Sequence, residues 1–222
     1  MPRNIPVVPL RTVLMPLMMV PLHFFEERYK RLVEELLDTG EPFLGIALLR
    51  SGEEVEGPAV PYSVGTLAQL LRISRLPNGD YLVHALGERR FQIRRIVAET
   101  PVIVADVEWL EDGDLEEVEE YRETIEELRA LGSRYLRWIA EAWEVPMEEL
   151  PEEPAAMGWF LAGRLPLTLA QGQALLESTS LRQRLEALLH FLQRSEAQLE
   201  ENIALIGRIR RVRKGNGKPF PA

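Results

Sequence analysis

No cysteine occurs in the sequence, which excludes disulfides, thiolate metal sites and a cysteine nucleophile, and fits a reducing compartment. Lysine is almost as scarce. Of 26 basic residues only Lys30, Lys214 and Lys218 are lysines, so 26 − 3 = 23 are arginine, and a Ser-Lys dyad has few candidates. No apolar run approaches the ~18 uninterrupted residues of a membrane span. The apolar stretch after Arg3 is broken by Pro16 and Pro21 and is followed by no A-x-A cleavage pattern, so it does not read as a signal peptide. The expectation is a soluble cytoplasmic protein with no membrane partner.

The motifs of chemistry are missing as well. There is no G-x-x-x-x-G-K-[ST] loop, no G-x-G-x-x-G and no G-x-S-x-G elbow, and in "GNGKPF" Pro219 stands where a magnesium-holding hydroxyl would be needed. His23, His84 and His190 lie far apart without H-x-x-x-H spacing, which argues against a metal site. Carboxylates such as Glu53, Glu54 and Glu56 are plentiful, and plentiful carboxylates specify nothing. No catalytic constellation, cofactor site or metal site is expected. The balance of 26 basic against 35 acidic residues, a net charge of -9, repels a phosphate backbone and makes nucleic acid an unexpected partner.

What is present is ordinary globular material, 46% apolar and 27% charged, in two halves of different grammar. Up to about Leu110 the apolar residues fall in short runs punctuated by Gly and Pro, which predicts strands at 43–50, 62–76, 80–87, 91–98 and 101–110. Pro77-Asn78-Gly79-Asp80 predicts a tight hairpin turn, because Asn-Gly readily takes positive φ. Ile103, Ala105, Val107 and Trp109 alternate with polar or smaller neighbours, as a strand with one buried face should. One helix is predicted after Pro21, carrying Phe24 or Phe25, Tyr29, Leu32, Val33, Leu36 and Leu37, and ended by Gly40.

From about Asp114 the spacing becomes helical. Residues 111–127 hold ten acids and one arginine, a run read as a solvated helix face rather than a metal or basic-partner site. A proline-rich connector at 145–154 precedes a short helix near 155–163, and Thr168 is a plausible N-cap for another. In the final long helix Leu181, Leu185, Leu188, Leu192, Ser195, Leu199, Asn202, Ile206 and Ile209 step by four and three, predicting a seam for other helices or a second copy of the chain. Arg208, Arg210, Arg211, Arg213 and Lys214 then crowd its end, where cations suit the helix terminus.

The segments 7–33 ("VVPLRTVLMPLMMVPLHFFEERYKRLV"), 43–48 ("FLGIAL"), 64–70 ("VGTLAQL"), 78–96 ("NGDYLVHALGERRFQIRRI") and 105–112 ("ADVEWLED"), with "LAGRLPLTLAQGQALLESTSLRQRLEALLHFLQ" after them, resemble in order the amino-terminal substrate-binding domain of the ATP-dependent Lon protease family. The resemblance covers roughly residues 5–205. It implies an α+β fold: an N-terminal β-rich, PUA-like pseudo-barrel lobe followed by a C-terminal helical bundle with a long terminal helix. The expected division is 1–113 for the β-rich lobe, 114–214 for the helical lobe and 215–222 for a flexible tail. Neither the ATPase nor the Ser-Lys peptidase motif of the protease is present, and the absence of cysteine sets aside a cereblon-like zinc module. The expectation is therefore a stand-alone, non-catalytic recognition module for unfolded or client proteins, with a protease or ATPase as further partner. A PUA-like small-ligand or RNA binder and a self-associating scaffold, a homo-oligomer through the long helix, are the alternatives.

The resemblance also gives a reading of the oily stretch "LMPLMMVPL" (14–22). Pro9-Leu10-Arg11 would end an edge strand, Pro21-Leu22 would start the helix, and residues 14–20 would form the loop between them. Two roles stay open for it. Met15, Leu17, Met18 and Met19 could cap the core of the lobe, or Leu17, Met18 and Met19 could remain exposed and grip apolar client segments, a role that suits flexible, polarizable methionine. Glu26, Arg28, Tyr29, Gly65, Thr66, Gly87, Arg89, Arg90 and Phe91 are expected to set turns and packing, with a buried Arg–carboxylate pair among them.

Overall fold

A computed structural model of the chain describes residues 3–54 and 59–215. The expected tail beyond Gly215, Lys218 included, lies outside these residues, as do Glu56 and the side chains of Arg213 and Lys214. The chain forms two compact units, one of residues up to Gly113 together with Ala162–Thr179, the other of Asp114–Leu161 with the chain from Ser180 onward. Residues 162–179, grouped with the helices by their periodicity, thus pack with the strands.

The first unit holds strands β1 (Arg3–Leu10), β2 (Met19–Phe24), β3 (Phe43–Gly52), β4 (Ala59–Arg75), β5 (Tyr81–Ala98) and β6 (Ile103–Trp109), with helix α1 (Glu27–Thr39) between β2 and β3. Their order is β2-β5-β4-β3-β1-β6, and β5 also pairs with β6. That extra pairing closes β5, β4, β3, β1 and β6 into a ring and leaves β2 attached to it through β5 alone. The two strands expected at 80–87 and 91–98 are one continuous strand, β5, whose first half serves β2 and β4 and whose second half serves β4 and β6. Irregular register between Leu67 and Ala68 lets β4 and β5 bend, which is how a strand turns a barrel corner.

Two expectations from the resemblance are corrected here. Pro9-Leu10 ends a strand held on both sides, in parallel by β3 and antiparallel by β6, so β1 is no edge. Pro21-Leu22 does not start the helix but lies inside β2, and the helix begins at Glu27. Proline suits a first helical turn, and it suits an edge strand equally where its missing N–H would have faced solvent. The hairpin between β4 and β5 forms with Gly79 at φ 89. Gly79 N–H donates to Leu76 O at 2.9 Å and Leu76 N–H to Asp80 O at 2.8 Å, a three-residue loop with a left-handed glycine. Gly40, at φ 69, ends α1 as expected.

Two apolar cores hold the unit. One gathers Val8, Leu44, Ile46, Val83 and Ala85 from the strands against Tyr29, Leu32 and Val33 of α1. The other gathers Ile5, Val7, Phe91, Ile103, Ala105 and Val107 inside the ring. Phe91 is fully buried, and burial of such a side chain contributes ~1.5–3 kcal/mol.

The same unit includes helix α4 (Leu169–Glu177), for which Thr168 is the N-cap anticipated, and the structure adds Gln171 to it as a capping box. The second unit holds a 3₁₀ helix (Leu115–Tyr121), α2 (Arg122–Trp143), α3 (Pro154–Ala162) and α5 (Leu181–Gly215). In α2 the buried residues Ile125, Leu128, Gly132, Tyr135, Leu136 and Ala142 recur at helical spacing. Along α5 the seam departs from expectation beyond Leu199: Ile203 and Gly207 are buried, whereas Asn202, Ile206 and Ile209 face outward. A repeat alternating four and three averages 3.5 residues, the helix turns every 3.6, and the predicted stripe drifts off the buried face.

Candidate functional site

Loop 11–18 leaves β1 and is fixed by contacts that its own sequence does not announce. The buried Thr66 hydroxyl donates to Leu14 O at 2.6 Å. Leu17 N–H donates to Gly87 O at 2.8 Å, Gly87 N–H to Met18 O at 2.9 Å, and Met18 N–H to Met15 O at 3.1 Å. Leu17 and Met18 together therefore oppose the single residue Gly87, a bulge at the entry to β2. A Cβ on Gly87 would lie 2.2 Å from Met15 O, so only glycine permits this crossing. Below the loop, a Cβ on Gly172 of α4 would meet the Met15 methyl at 3.3 Å.

The oily stretch is consequently divided between both roles foreseen for it. Leu14 and Met15 are buried, Met18 is half-buried against the core of α1, and Leu17 and Met19 are 44% and 55% exposed. Leu17 takes φ 64, a left-handed conformation that costs an L-residue with a side chain ~1–2 kcal/mol. Further residues extend the surface. Register sets Met19 beside Leu86 and Pro21 beside His84, and Leu71 is 49% exposed at the bulge between Leu70 and Arg72 on the neighbouring strand. That Leu71 and Pro21 are exposed and Leu86 half-buried was not legible, because a short apolar run does not say which of its members point outward.

The polar groups nearby are committed to one another. His23 Nε2 lies 2.8 Å from Asp80 Oδ2, which also accepts from Asn78 Nδ2 at 2.8 Å, and Lys30 Nζ lies 3.9 Å from Asp80 Oδ1. Arg28 pairs with Glu26 at 2.9 Å, while burial pushes the Tyr29 hydroxyl upward against the opposing pull of Arg28. A fully satisfied cluster of this kind fixes the start of α1 rather than preparing a nucleophile.

The buried Arg–carboxylate pair is Arg90 with Asp112, at 2.6 Å and almost wholly desolvated. The same guanidinium donates to Leu176 O at 2.9 Å and Ser178 O at 2.5 Å, tying the end of α4 to β5. Asp112 belongs to the acidic run. So does Asp114, which accepts from Leu181 N–H at 2.6 Å, Arg182 N–H at 3.1 Å and the Ser180 hydroxyl at 2.7 Å, capping α5. The remaining described acids of 119–127 are exposed, as a solvated face requires. Among the described residues, hollows open on the first unit. One of about 370 Å³ is bounded by Pro9, Tyr29, Pro61, Ile96 and Ile103, with Arg28 already held by Glu26. Another, of about 220 Å³, is bounded by Ile5, Phe43, Leu67 and Trp109. Among the described residues no His, Asp and Glu cluster could hold a metal ion, and no helix is long and apolar enough to cross a membrane.

A family model, the ATP-dependent protease La (LON) substrate-binding domain, matches residues 4–194. The chain belongs to the Lon substrate-binding domain family. It is 29% identical over 216 residues to Lon protease of Escherichia coli (strain K12), covering 95% of this chain and 26% of that protein. Lon protease of Brevibacillus choshinensis is 27% identical over 226 residues, covering 98% of this chain and 28% of the relative. The chain thus spans about a quarter of the length of these relatives. Among solved structures, a Lon N-terminal domain protein from Xanthomonas campestris superposes with TM-score 0.60 at 28% identity, covering 85% of this chain and 98% of that one. The N-terminal domain of the Mycobacterium avium complex Lon protease shares the fold, with TM-score 0.58 at 23% identity over 86% of this chain and 98% of its own. The α+β Lon-type architecture, a strand-rich lobe with helices and a long terminal one, is therefore the fold of this chain.

Proposed function

We propose that this Lon-type substrate-binding module captures exposed apolar segments of unfolded or client proteins on the surface of Leu17, Met19, Leu86 and Leu71, with Met18 anchoring the loop to the core beneath. It acts as a non-catalytic adaptor that presents clients to a protease or ATPase partner in the cytoplasm. The observation that carries the reading is Leu17, an exposed leucine held in a left-handed conformation by bonds to Gly87. Strained exposed residues of this kind persist where the surroundings enforce them, and they cluster at binding sites. Burial of Leu17 and Met19 by a client supplies the affinity, since each such side chain is worth up to ~1.5–3 kcal/mol.

The test is fluorescence anisotropy with a labelled, permanently unfolded protein, its folded parent and a single-stranded RNA as controls. Selective, salt-tolerant binding of the unfolded form is expected, weakened roughly tenfold or more in Leu17→Ser/Met19→Ser, since ~1.4 kcal/mol is a factor of ten. Unchanged affinity in the folded double variant sinks the proposal, and salt-sensitive RNA binding replaces it with the nucleic-acid reading. A second reading, self-association through α5, is favoured by the exposed Leu205, Ile206 and Ile209. Sedimentation that depends on concentration, and no longer does so in Ile206→Glu/Ile209→Glu, would establish it.

A further inference from the structure

The proposed capture surface borders β2, which among the described residues is the one strand of the sheet with a single neighbour. The ladder between β2 and β5 fixes which of its backbone groups remain open. Gly87 exchanges both of its bonds with the Leu17–Met18 bulge, so the alternation of an antiparallel pair next directs the backbone of Val20, Leu22 and Phe24 toward Ala85, Val83 and Tyr81. Met19, Pro21 and His23 then aim their backbone groups away from β5. Pro21 confirms the phase, since it has no N–H to give. The outer edge therefore offers N–H groups at Met19 and His23 and carbonyls at Met19, Pro21 and His23. Among the described residues no bond outside the sheet ladder occupies them.

The geometry points to strand addition: an extended client segment pairs with the outer edge of β2 and continues the sheet, laying its alternate apolar side chains beside Met19 and Pro21. This rests on the proposed client-binding function and specifies its chemistry as backbone recognition of extended, proline-poor apolar segments. The pattern of donors and acceptors chooses the occupant. The edge has three acceptors and two donors, and a segment without proline supplies the missing donor opposite Pro21 O. A second copy of β2 brings the same surplus, and with Pro21 opposite Pro21 around a two-fold axis each carbonyl meets a nitrogen that carries no hydrogen, which disfavours edge-to-edge dimers. Side-chain pockets are not needed, so different client sequences fit, while the bulge at Leu17 and the break after Phe24 limit the pairing to a few residues.

The decisive pair of variants is His23→Pro and His23→Ala. Both remove the contact with Asp80, and only the first removes the outward N–H, leaving every bond to β5 in place. The probe is a short fluorescein-labelled peptide of alternating Val and Thr, with a copy N-methylated at alternate residues. Parent peptide is expected to bind wild type and His23→Ala alike, and to bind His23→Pro or to lose its own N–H groups at a cost of roughly tenfold in affinity. Should both substitutions and N-methylation leave affinity unchanged while Leu17→Ser/Met19→Ser abolishes it, strand addition is overturned and client capture by side chains stands. Failure of any peptide or unfolded protein to bind overturns both. A dimer in sedimentation that His23→Pro dissociates and peptide does not displace would assign the edge to a second copy and overturn the inference too. Circular dichroism of His23→Pro checks the fold, and the N-methylated peptide tests the same bonds without altering the protein.

Discussion

Leu17 presents its side chain at a backbone cost, and that cost can be measured apart from binding. An exposed leucine in a regular element usually loses ~0.5–1 kcal/mol on replacement by glycine. At φ 64 the strain relieved in Leu17→Gly offsets the added freedom of the unfolded chain. The melting temperature of Leu17→Gly is expected to stay within a few degrees of wild type while affinity for an unfolded protein falls. A large loss of stability would show that the Leu17 side chain serves the core. Gly87 behaves in the opposite way. With Met15 O at 2.2 Å from an added Cβ, Gly87→Ala is expected to cost about 1–3 kcal/mol in denaturant unfolding and to displace the loop, lowering affinity as well.

Elements show which parts of the fold a sequence states and which it does not. The hairpin at Asn78-Gly79, the cap at Thr168, the end of α1 at Gly40 and the alternation of β6 are local devices, readable because the residues that make them are neighbours. Pro21 was ambiguous, since it fits both a helix start and an edge strand, and the choice was made by pairing with His84 far along the chain. Asp114 was hidden in an acidic run although, together with Ser180, it caps α5 from 67 residues before Leu181. Burial raises the Asp114 pKa, but the bonds from Ser180, Leu181 and Arg182 outweigh it and leave the carboxyl below its ordinary value. A depressed folded pKa means the stabilisation is complete above the unfolded value and is lost as pH falls through the folded one. Thermal unfolding of Asp114→Ala against wild type should therefore show a gap at neutral pH that closes in strong acid, well below pH ~4. A gap independent of pH would remove the cap from the account of α5.

At the scale of the molecule, the strand-rich unit holds a helical segment that arrives late in the chain. Gln173 donates to Val64 O at 3.1 Å across 109 positions, and Arg90 binds two carbonyls at the end of α4, so this unit is complete only when residues 162–179 are present. Periodicity cannot see such a return, and this is why the segment read as part of the helical half. Arg90→Met removes the charge that faces the buried Asp112 carboxylate and is expected to destabilise the strand-rich unit by about 3–5 kcal/mol in urea unfolding. A cost below ~1 kcal/mol would mean that α4 is held without help from the Arg90 bonds. Of the candidate site, Leu17 and Met19 were legible as apolar residues in a proline-broken stretch. Their exposure was not, because it is decided by Gly87, Thr66 and Gly172 from other elements. The most direct measurement is NMR of the methionine methyl groups titrated with a permanently unfolded protein. Met19, exposed on β2, should shift first, with Met18 following and buried Met15 and Met157 unmoved. Shifts at Met147, which is exposed in the helical unit, with Met19 silent would contradict capture at the β2 surface.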